Sequence, residues 1–246
     1  MDLSIVIPAY NEAARICTTI QRTAGFVRER AWQAELVVVD DGSADATAQR
    51  VLELQRSAAG RDPEVRYLRN ASNRGKGYSV RRGVSEARGR VIGFTDADYK
   101  TDIAALDDAM QALRAGADVV IADRTLSRTH IEVRRRAYRE LGSRLFRHLV
   151  RHLVGLAGFP DTQCGFKFFR GDVARELFSL SSVDGFMFDV EILLLAVRRG
   201  YRVERIPVQW SDDADSRFRP VSGSLRNLRE LVHIRRQTSF PAPRTS

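Results

Sequence analysis

An α/β fold with a mostly parallel central sheet and helices on both faces is predicted by three features of the sequence. Short, continuously apolar runs rich in Val and Ile alternate with longer amphipathic segments. Such runs are typical of strands buried on both faces, and parallel strands require connections of helix length. With 246 residues, of which 43% are hydrophobic and 29% charged, the chain has enough apolar material for a large core.

The predicted strands and helices alternate along the first half of the chain. Strands are expected at 3–8, 35–40, 64–69, 90–95 and 117–122. Helices are expected at 12–30, 44–56, 77–88 and 102–113. Because ligands of open α/β sheets bind beyond the carboxyl ends of the strands, the residues that follow each strand are candidates for a functional site.

Acidic residues follow three of the predicted strands. They occur in Pro8-Ala9-Tyr10-Asn11-Glu12, in Asp40-Asp41-Gly42-Ser43 and in Asp96-Ala97-Asp98. Residues i and i+2 of an extended segment point to the same face, so Asp96 and Asp98 should project together. Two carboxylates that close repel each other unless a cation lies between them. The alternative is a strand that simply ends in an Asp-rich turn.

The charge of the chain favours anionic partners. The net charge is +9, from 40 Lys and Arg against 31 Asp and Glu, which suits nucleic acid, phosphorylated ligands or an acidic membrane surface. Cys17 and Cys164 lie far apart without metal-site spacing, which predicts a reducing compartment and no disulfide framework. The sequence shows neither a signal-peptide pattern nor an apolar run of about 18 residues, so a cytoplasmic location is expected.

A dinucleotide-binding Rossmann domain is disfavoured by the turn after the first strand. That fold needs G-x-G-x-x-G there, whereas the turn PAYNEA contains no glycine. The sequence also lacks the P-loop pattern G-x-x-x-x-G-K-[ST]. The segment Asn73-Arg74-Gly75-Lys76-Gly77 could form a phosphate cradle at a helix N-terminus, with Lys76 assisting, or a flexible turn capped by Asn73.

Several motifs together resemble the family 2 glycosyltransferases, which have the GT-A fold. They are SIVIPAYNE, VVVDDGSAD, NRGKG and FTDADY, followed by DTQCGFKFF, FDVEILLLAVRRGY and IPVQW. The later motifs resemble the dolichyl-phosphate (polyprenyl-phosphate) glucosyltransferase and mannosyltransferase branch, and DTQCGFK is most similar to the glucosyl enzymes. The resemblance implies a single GT-A domain over 1–236, with a nucleotide-binding half at 1–123, an acceptor-binding half at 124–236 and a flexible tail at 237–246.

The same resemblance implies a nucleotide diphosphate sugar as donor, with UDP-glucose ahead of GDP-mannose. The departing diphosphate needs a Lewis acid, for which Mg²⁺ or Mn²⁺ held by few carboxylates is suited. Asp98 is the implied metal ligand, and Asp96 would hold the metal or the ribose. The other donor-binding residues that the resemblance and the phosphate-cradle pattern indicate are Pro8, Tyr10, Glu12, Asp40, Asp41, Lys76, Ala97, Gln163 and Arg217. Asp41-Gly42 could instead be only a turn.

A polyprenyl phosphate is the implied acceptor, and its phosphate oxygen would attack the anomeric carbon of the donor in line, with inversion. A phosphate monoester is largely a dianion at pH 7, so it needs positioning and charge neutralisation rather than a general base. Arginine suits this role because its planar fork matches phosphate oxygens. The candidates are Arg124 and one of Arg135, Arg136 or Arg139.

A soluble acceptor that attacks through a hydroxyl group is the alternative, and it would need a general base. Asp189 or Asp161 could serve, and Glu191 could support the metal or a loop. Cys164 is expected to be a small packed residue rather than a nucleophile. Core positions are expected for Phe166, Phe168 and Phe169.

Two basic amphipathic segments are expected at 131–154 and 225–236. In both, apolar residues recur at helical spacing and arginines occupy much of the remaining surface. Such helices suit the interface of an anionic membrane, which predicts a peripheral enzyme on the cytosolic face; the alternative is a solvated helix whose apolar stripe packs on the core. Binding of nucleic acid is disfavoured, because no recognition motif appears and acids at the strand ends would repel phosphate.

Overall fold

The strands and helices of the protein come from both halves of the chain. A computed structural model describes residues 1–58, 60, 62–126, 130–131, 154–211 and 222–237. The strands are β1 (Leu3–Ala9), β2 (Ala34–Asp40), β3 (Glu64–Arg69), β4 (Val91–Thr95), β5 (Val119–Ala122), β6 (His130–Ile131), β7 (Phe166–Arg170), β8 (Val203–Ile206) and β9 (Gln209–Trp210). The helices are α1 (Ile16–Glu29), α2 (Thr47–Ser57), α3 (Lys76–Glu86), α4 (Ala105–Arg114), α5 (Gly171–Leu180), α6 (Phe188–Arg198) and α7 (Ser222–Gln237).

The predicted alternation of strands and helices is confirmed for the first half of the chain. All five expected strands form, with boundaries that differ from the prediction by at most two residues. The first helix begins at Ile16 rather than at Glu12, because the intervening residues form a turn. Asn11 has a left-handed backbone in this turn, with φ 54°. Among the described helices, none combines the length and apolar character needed to cross a bilayer.

The central sheet has seven strands in the order β3-β2-β1-β4-β7-β5-β8. Neighbouring strands are parallel except at β7, which runs antiparallel to both β4 and β5. The mostly parallel sheet is therefore confirmed. Phe166 at the start of β7 pairs with Thr95 at the end of β4. This register brings the residues that precede β7 to the same sheet edge as the residues that follow β4.

Two layers of apolar side chains cover the two faces of the sheet. Helices α1, α2 and α4 pack on the face that carries Ile7 and Phe168. Helices α3, α5, α6 and α7 pack on the opposite face, with Val6 and Phe169. Successive residues of a strand point to opposite faces, so one short strand contributes to both layers. Phe166, Phe168 and Phe169 are fully buried, which confirms their predicted place in the core.

A buried carboxylate joins several elements at the amino edge of the sheet. Glu35 on β2 is fully buried and accepts hydrogen bonds from the Ser4 hydroxyl (2.6 Å), the Arg88 backbone N–H (2.7 Å) and Arg66 Nη1 (2.9 Å). Burial alone would raise the pKa of Glu35, but these hydrogen bonds outweigh it and hold the pKa below its usual value. Glu35 therefore stabilises the fold in its ionised form.

We expect Glu35→Gln to lower the free energy of unfolding by about 2 kcal/mol at neutral pH, because a neutral amide replaces the buried charged acceptor of the hydrogen bonds from Ser4, Arg66 and Arg88. A carboxyl whose pKa is depressed on folding contributes stability above its unfolded pKa, near 4.3, and loses it as the pH falls through the folded pKa. The difference between the wild type and Glu35→Gln should therefore narrow below about pH 4. Urea unfolding at several pH values measures both effects.

Glu64→Gln is the matched control, since Glu64 pairs with the same Arg88 but has a half-exposed side chain. An exposed ion pair contributes up to about 1 kcal/mol, so this variant should unfold almost like the wild type. Equal destabilisation by the two substitutions would contradict the special role of the buried carboxylate.

Candidate active site

The turns after β1 and β2 are bonded to each other at the carboxyl edge of the sheet. The Asn11 backbone N–H donates to Ser43 Oγ (2.9 Å), and Asn11 Oδ1 accepts from the Ala44 N–H (2.9 Å). The Glu12 N–H donates to Thr47 Oγ1 (2.8 Å), which ties the same turn to the start of α2. Pro8 is partly exposed and Tyr10 is 45% exposed beside these contacts. The chain therefore presents an open aromatic ring on a fixed turn.

Asp40 is enclosed at the end of β2. Its side chain is fully buried, with Oδ1 accepting from the Ser43 N–H (2.8 Å) and Oδ2 from the Tyr67 hydroxyl (2.7 Å). Burial and the negative charge of Asp40 together raise the pKa of Tyr67, so its phenol keeps its proton. Asp40 thus fixes the shape of the turn, and its direct contact with a nucleotide base stays a prediction.

Asp41 fixes the loop that leads into α3. Its Oδ1 accepts from Asn70 Nδ2 (2.7 Å) and from the Arg74 N–H (2.9 Å), and its Oδ2 accepts from the Gly75 N–H (2.8 Å). A turn residue alone would not need these three bonds to a distant loop. Asp41 therefore positions the residue that follows Gly75, which is Lys76.

Lys76 is the first residue of α3, and its ammonium group reaches the acids that follow β4. Its Nζ lies 2.6 Å from Asp96 Oδ1. Burial would lower the pKa of Lys76, but the carboxylates of Asp96 and Asp189 raise it more, and the net pKa is above the usual value. Lys76 is therefore a permanent cation at neutral pH, at a helix end that favours anions.

Asp96 and Asp98 form the acidic centre of the site. The Asp96 side chain is 39% exposed and that of Asp98 is 22% exposed. Burial and the neighbouring Asp96 charge raise the pKa of Asp98, and Lys100, 3.8 Å away, offsets only part of this effect. Such mutual repulsion is relieved by a divalent cation. The pair therefore fits a metal ion.

The described residues suit a metal ion whose ligands come partly from the protein and partly from a bound phosphate, rather than a metal ion bound by the protein alone. Within the described ranges, no group of three or more His, Cys, Asp or Glu side chains converges as a metal site. Mg²⁺ and Mn²⁺ prefer oxygen ligands, and Mg²⁺ commonly binds through one or two carboxylates together with phosphate oxygens of the ligand. Asp96 and Asp98 suit that arrangement.

The backbone around the two aspartates is held from several sides. Ala97 is buried, and its carbonyl accepts from the Thr19 hydroxyl (2.7 Å). Tyr99 has a left-handed backbone with φ 55°, and its ring lies 4.8 Å from the Arg22 guanidinium. Gly165, just before β7, packs so closely on the Asp96 carboxylate that a Cβ atom there would overlap it.

Asp189 lies in a buried ion pair rather than at an open surface. Lys167 on β7 is 1% exposed, and its Nζ donates to Asp189 Oδ1 (2.5 Å) and to the Cys164 carbonyl (2.7 Å). Burial raises the pKa of Asp189, and Lys167 and Lys76 reduce that rise without cancelling it. An acceptor hydroxyl that used Asp189 as a base would have to enter this pair, so the role of Asp189 as a base stays a prediction.

Arg124 and Asp161 form a second ion pair, in which Asp161 is buried and Arg124 is 23% exposed. Arg124 Nε lies 2.7 Å from Asp161 Oδ2, Arg124 Nη2 lies 2.8 Å from Asp161 Oδ1, and the Trp210 ring centroid is 5.3 Å from the guanidinium carbon. Burial would raise the pKa of Asp161, but Arg124 lowers it below the usual value. A phosphate that binds Arg124 would therefore have to displace Asp161 from the Nε and Nη2 edge or use the remaining N–H groups of the guanidinium.

The remaining candidates have different surroundings. Glu191 accepts from the backbone N–H groups of Ser182 (3.0 Å) and Val183 (2.9 Å), so it supports that loop. Gln163 is partly exposed, and its Nε2 lies 4.0 Å from Met187 Sδ. Cys164 is buried, and burial raises its pKa to about 11, which agrees with a packed thiol. Four predicted residues lie outside the described ranges: Arg135, Arg136, Arg139 and Arg217.

Sequence reasoning missed four residues that shape this edge: Tyr67, Asn70, Gly165 and Lys167. Lys167 left a visible signal, because a lysine within the buried run FKFF requires an acidic partner. The roles of Tyr67 and Asn70 depend on contacts across the sheet edge, and no local pattern indicates them.

Comparison with known proteins identifies the family. A family model described as glycosyl transferase family 2 matches residues 4–178. The chain belongs to this family. It is 33% identical to the dolichyl-phosphate beta-glucosyltransferase of Saccharomyces cerevisiae, over 95% of this chain and 74% of that protein. The protein of the same name from Homo sapiens is also 33% identical, over 95% of this chain and 75% of the human protein.

Solved structures agree on the fold. Glucosyl-3-phosphoglycerate synthase of Mycobacterium tuberculosis in complex with UDP superposes with a TM-score of 0.67 at 20% identity, covering 96% of this chain and 79% of that one. A complex of the same enzyme with Mn²⁺, UDP and phosphoglyceric acid also gives 0.67, over 95% and 76% of the two chains. The protein is therefore a glycosyltransferase with the GT-A fold, as its motifs predict.

We expect Gly165→Ala to lower transferase activity by at least about tenfold, because the new methyl group displaces the Asp96 carboxylate and a small misplacement of a reacting group is costly. Gly165 has an ordinary backbone, and the displaced atoms end a short side chain, so the melting temperature should change little. Steady-state kinetics and thermal unfolding measure the two effects.

Gly158→Ala is the control in the same segment, since nothing lies within 4 Å of a Cβ at that position. It should retain full activity. Wild-type kinetics in Gly165→Ala would contradict the close contact between Gly165 and Asp96.

Proposed function

We propose that this glycosyltransferase transfers glucose from a nucleotide diphosphate sugar to a polyprenyl phosphate such as dolichyl phosphate. Relatives from yeast, human and Trichomonas vaginalis, each 33% identical over at least 94% of this chain, are all named dolichyl-phosphate beta-glucosyltransferases. The likeness extends through β7 and α6, where the residues beside the metal site lie. The shared name therefore supports dolichyl phosphate as the acceptor as well as glucose as the transferred sugar.

The donor that we propose is UDP-glucose, with GDP-mannose next. In this proposal the exposed Tyr10 ring, together with Pro8, Glu12 and Asp40, contacts the base, and Lys76 binds the diphosphate. The permanent charge of Lys76 at a helix N-terminus supports this placement. Arg217 would add a second cation. Gln163 would contact the sugar, and Ala97 would contact the ribose.

A divalent cation completes the donor site in this proposal. Asp98, assisted by Asp96, would hold Mg²⁺ or Mn²⁺, which neutralises the charge of the departing diphosphate. The repulsion between the two carboxylates supports the metal, and so does the Mn²⁺ in complexes of a protein with the same fold. The chain itself contributes the two carboxylates and the adjacent Lys76 ammonium group.

A phosphate acceptor is the choice that the geometry supports best. The two acids considered as a general base, Asp161 and Asp189, are both buried, and each is already paired with a cation. A polyprenyl phosphate needs no base, because its phosphate is already largely a dianion at neutral pH. Its oxygen would attack the anomeric carbon opposite the diphosphate, with inversion. This observation on Asp161 and Asp189 carries the proposal.

The acceptor phosphate needs cations on its own side of the sugar. We assign this role to Arg124 together with Arg135, Arg136 or Arg139. Arg124 is the second residue after β5, at the sheet edge that carries Asp96 and Asp98. Its present partner, Asp161, holds the guanidinium plane in a fixed orientation. Because Asp161 occupies the Nε and Nη2 edge, the phosphate oxygens would bind the remaining N–H groups of this oriented guanidinium.

A lipid acceptor places the enzyme at a membrane surface, and we propose peripheral binding on the cytosolic face. Helix α7 supports this, because Leu231 and Ile234 pack into the core while Leu228 and Val232 stay 42% and 40% exposed. Four arginines of this helix are also exposed: Arg226, Arg229, Arg235 and Arg236. Exposed apolar residues among arginines suit an anionic lipid surface.

The decisive experiment is transfer of radiolabel from UDP-glucose or GDP-mannose into an organic-extractable product, with and without polyprenyl phosphate. We expect extractable label from UDP-glucose that requires Mg²⁺ or Mn²⁺ and disappears on chelation. Asp98→Ala should reduce the rate by at least about 100-fold, because it removes the proposed metal ligand. Asp108→Ala, which removes an exposed acid on α4, should leave the rate unchanged.

Donor hydrolysis without extractable label would move the acceptor to a soluble molecule. Such a result would favour the hydroxyl alternative, with Asp189 as the base.

A further inference from the structure

Four charged side chains of alternating sign run from the interior of the sheet to the metal site. Lys167 pairs with Asp189 (2.5 Å), and Lys76 pairs with Asp96 (2.6 Å). The two pairs lie side by side, because Lys76 Nζ is 5.8 Å from the ring centroid of Phe188, the residue that precedes Asp189, and Gly77 packs directly on Phe188. The negative charge of Asp189 acts on Lys76 in the same direction as that of Asp96. We call these four residues the charge row. Asp96 is its outer end and Lys167 its inner end.

The inner end of the charge row is rigid. Lys167 is 1% and Asp189 4% exposed, and Lys167 is also fixed by its bond to the Cys164 carbonyl. Lys167 lies on a central strand, and Asp189 lies in the first turn of α6. Two secondary-structure elements therefore hold one negative charge at a fixed place behind Lys76. Such a pair stabilises a protein weakly at best, since desolvation offsets its attraction, so its position suggests another purpose.

Lys76 would lose the attraction of its direct partner if a metal ion bound that partner, and a second fixed negative charge would compensate for this loss. Its direct partner, Asp96, belongs to the acidic pair that fits a divalent cation. A bound metal would take over the Asp96 carboxylate and repel the ammonium group. With Asp189 behind it, Lys76 keeps an attractive partner and stays beside the metal. The donor diphosphate then meets two cations rather than one.

We propose that Asp189 is a positioning residue: together with Lys167 it holds the Lys76 ammonium group in place for the donor diphosphate when the metal occupies Asp96. This inference rests on the proposed use of a nucleotide diphosphate donor. It gives Asp189 a part in donor binding and none in proton transfer. Asp189 acts only through Lys76.

Binding of UDP and of uridine, each in the presence of Mg²⁺, tests this assignment. Lys76→Met and Asp189→Asn should each weaken UDP binding about 10- to 100-fold, the usual loss for a charge-assisted bond. Uridine has no phosphate, so its affinity should stay unchanged. Calorimetry measures UDP, and saturation-transfer NMR measures uridine.

The double variant Lys167→Met/Asp189→Leu separates positioning from stability. It replaces the buried pair by apolar groups of similar volume, so its unfolding midpoint should recover relative to Asp189→Asn. Its UDP affinity should remain low, because Lys76 still lacks the charge behind it.

Glu35→Gln is the control, since Glu35 is also buried between cations but lies at the opposite sheet edge. It should lose stability and keep its UDP affinity.

Three results would overturn the inference. Wild-type UDP affinity in the double variant would show that the pair only supports the fold. Normal UDP affinity with a collapsed kcat in Asp189→Asn would show that Asp189 takes part in the chemistry. An equal loss of uridine and UDP binding would show that Asp189 shapes the whole pocket.

If the wild type binds GDP instead of UDP, the proposed donor is wrong. GDP and guanosine then replace UDP and uridine in the same comparison.

Discussion

Repulsion between carboxylates is the constraint on which the site depends. The parallel sheet brings the ends of β1, β2 and β4 to one edge, and an acid follows each of them. These acids stay close because each has a separate set of partners. Asp40 and Asp41 are satisfied by hydrogen-bond donors of the protein, whereas Asp96 and Asp98 remain partly exposed beside lysines. The first two acids shape the loops, and the last two are available to a metal.

The first five strands could be predicted from the sequence because their signal is local. Each is a short apolar run followed by a turn, and burial on both faces leaves few other interpretations. The antiparallel strand β7 could not be placed in this way. Its position between β4 and β5 is decided by long-range pairing, such as that of Phe166 with Thr95. Hydrophobic pattern alone does not specify which strands become neighbours.

The acidic and basic members of the site could be located from their motifs, but their partners could not. The position of Asp96 and Asp98 after a predicted strand placed both at the sheet edge, but the extended segment that their i, i+2 spacing assumed does not form: β4 ends at Thr95, and residues 97 and 98 lie in a turn. That Asp189 faces Lys167, or that Asp161 faces Arg124, depends on how distant strands and helices meet. An isolated acid in a motif is equally compatible with a base and with a buried ion pair. Only the surroundings distinguish the two.

The pair of Arg124 and Asp161 has a consequence for how such enzymes diversify. The two residues flank the segment 125–160, and their twin hydrogen bonds join its ends directly at the sheet edge. The entropic cost of closing a loop grows slowly with its length, so a segment joined at its base tolerates insertions and replacements. Changes in the length of this segment can therefore occur while the carboxylates and lysines at the sheet edge keep their places.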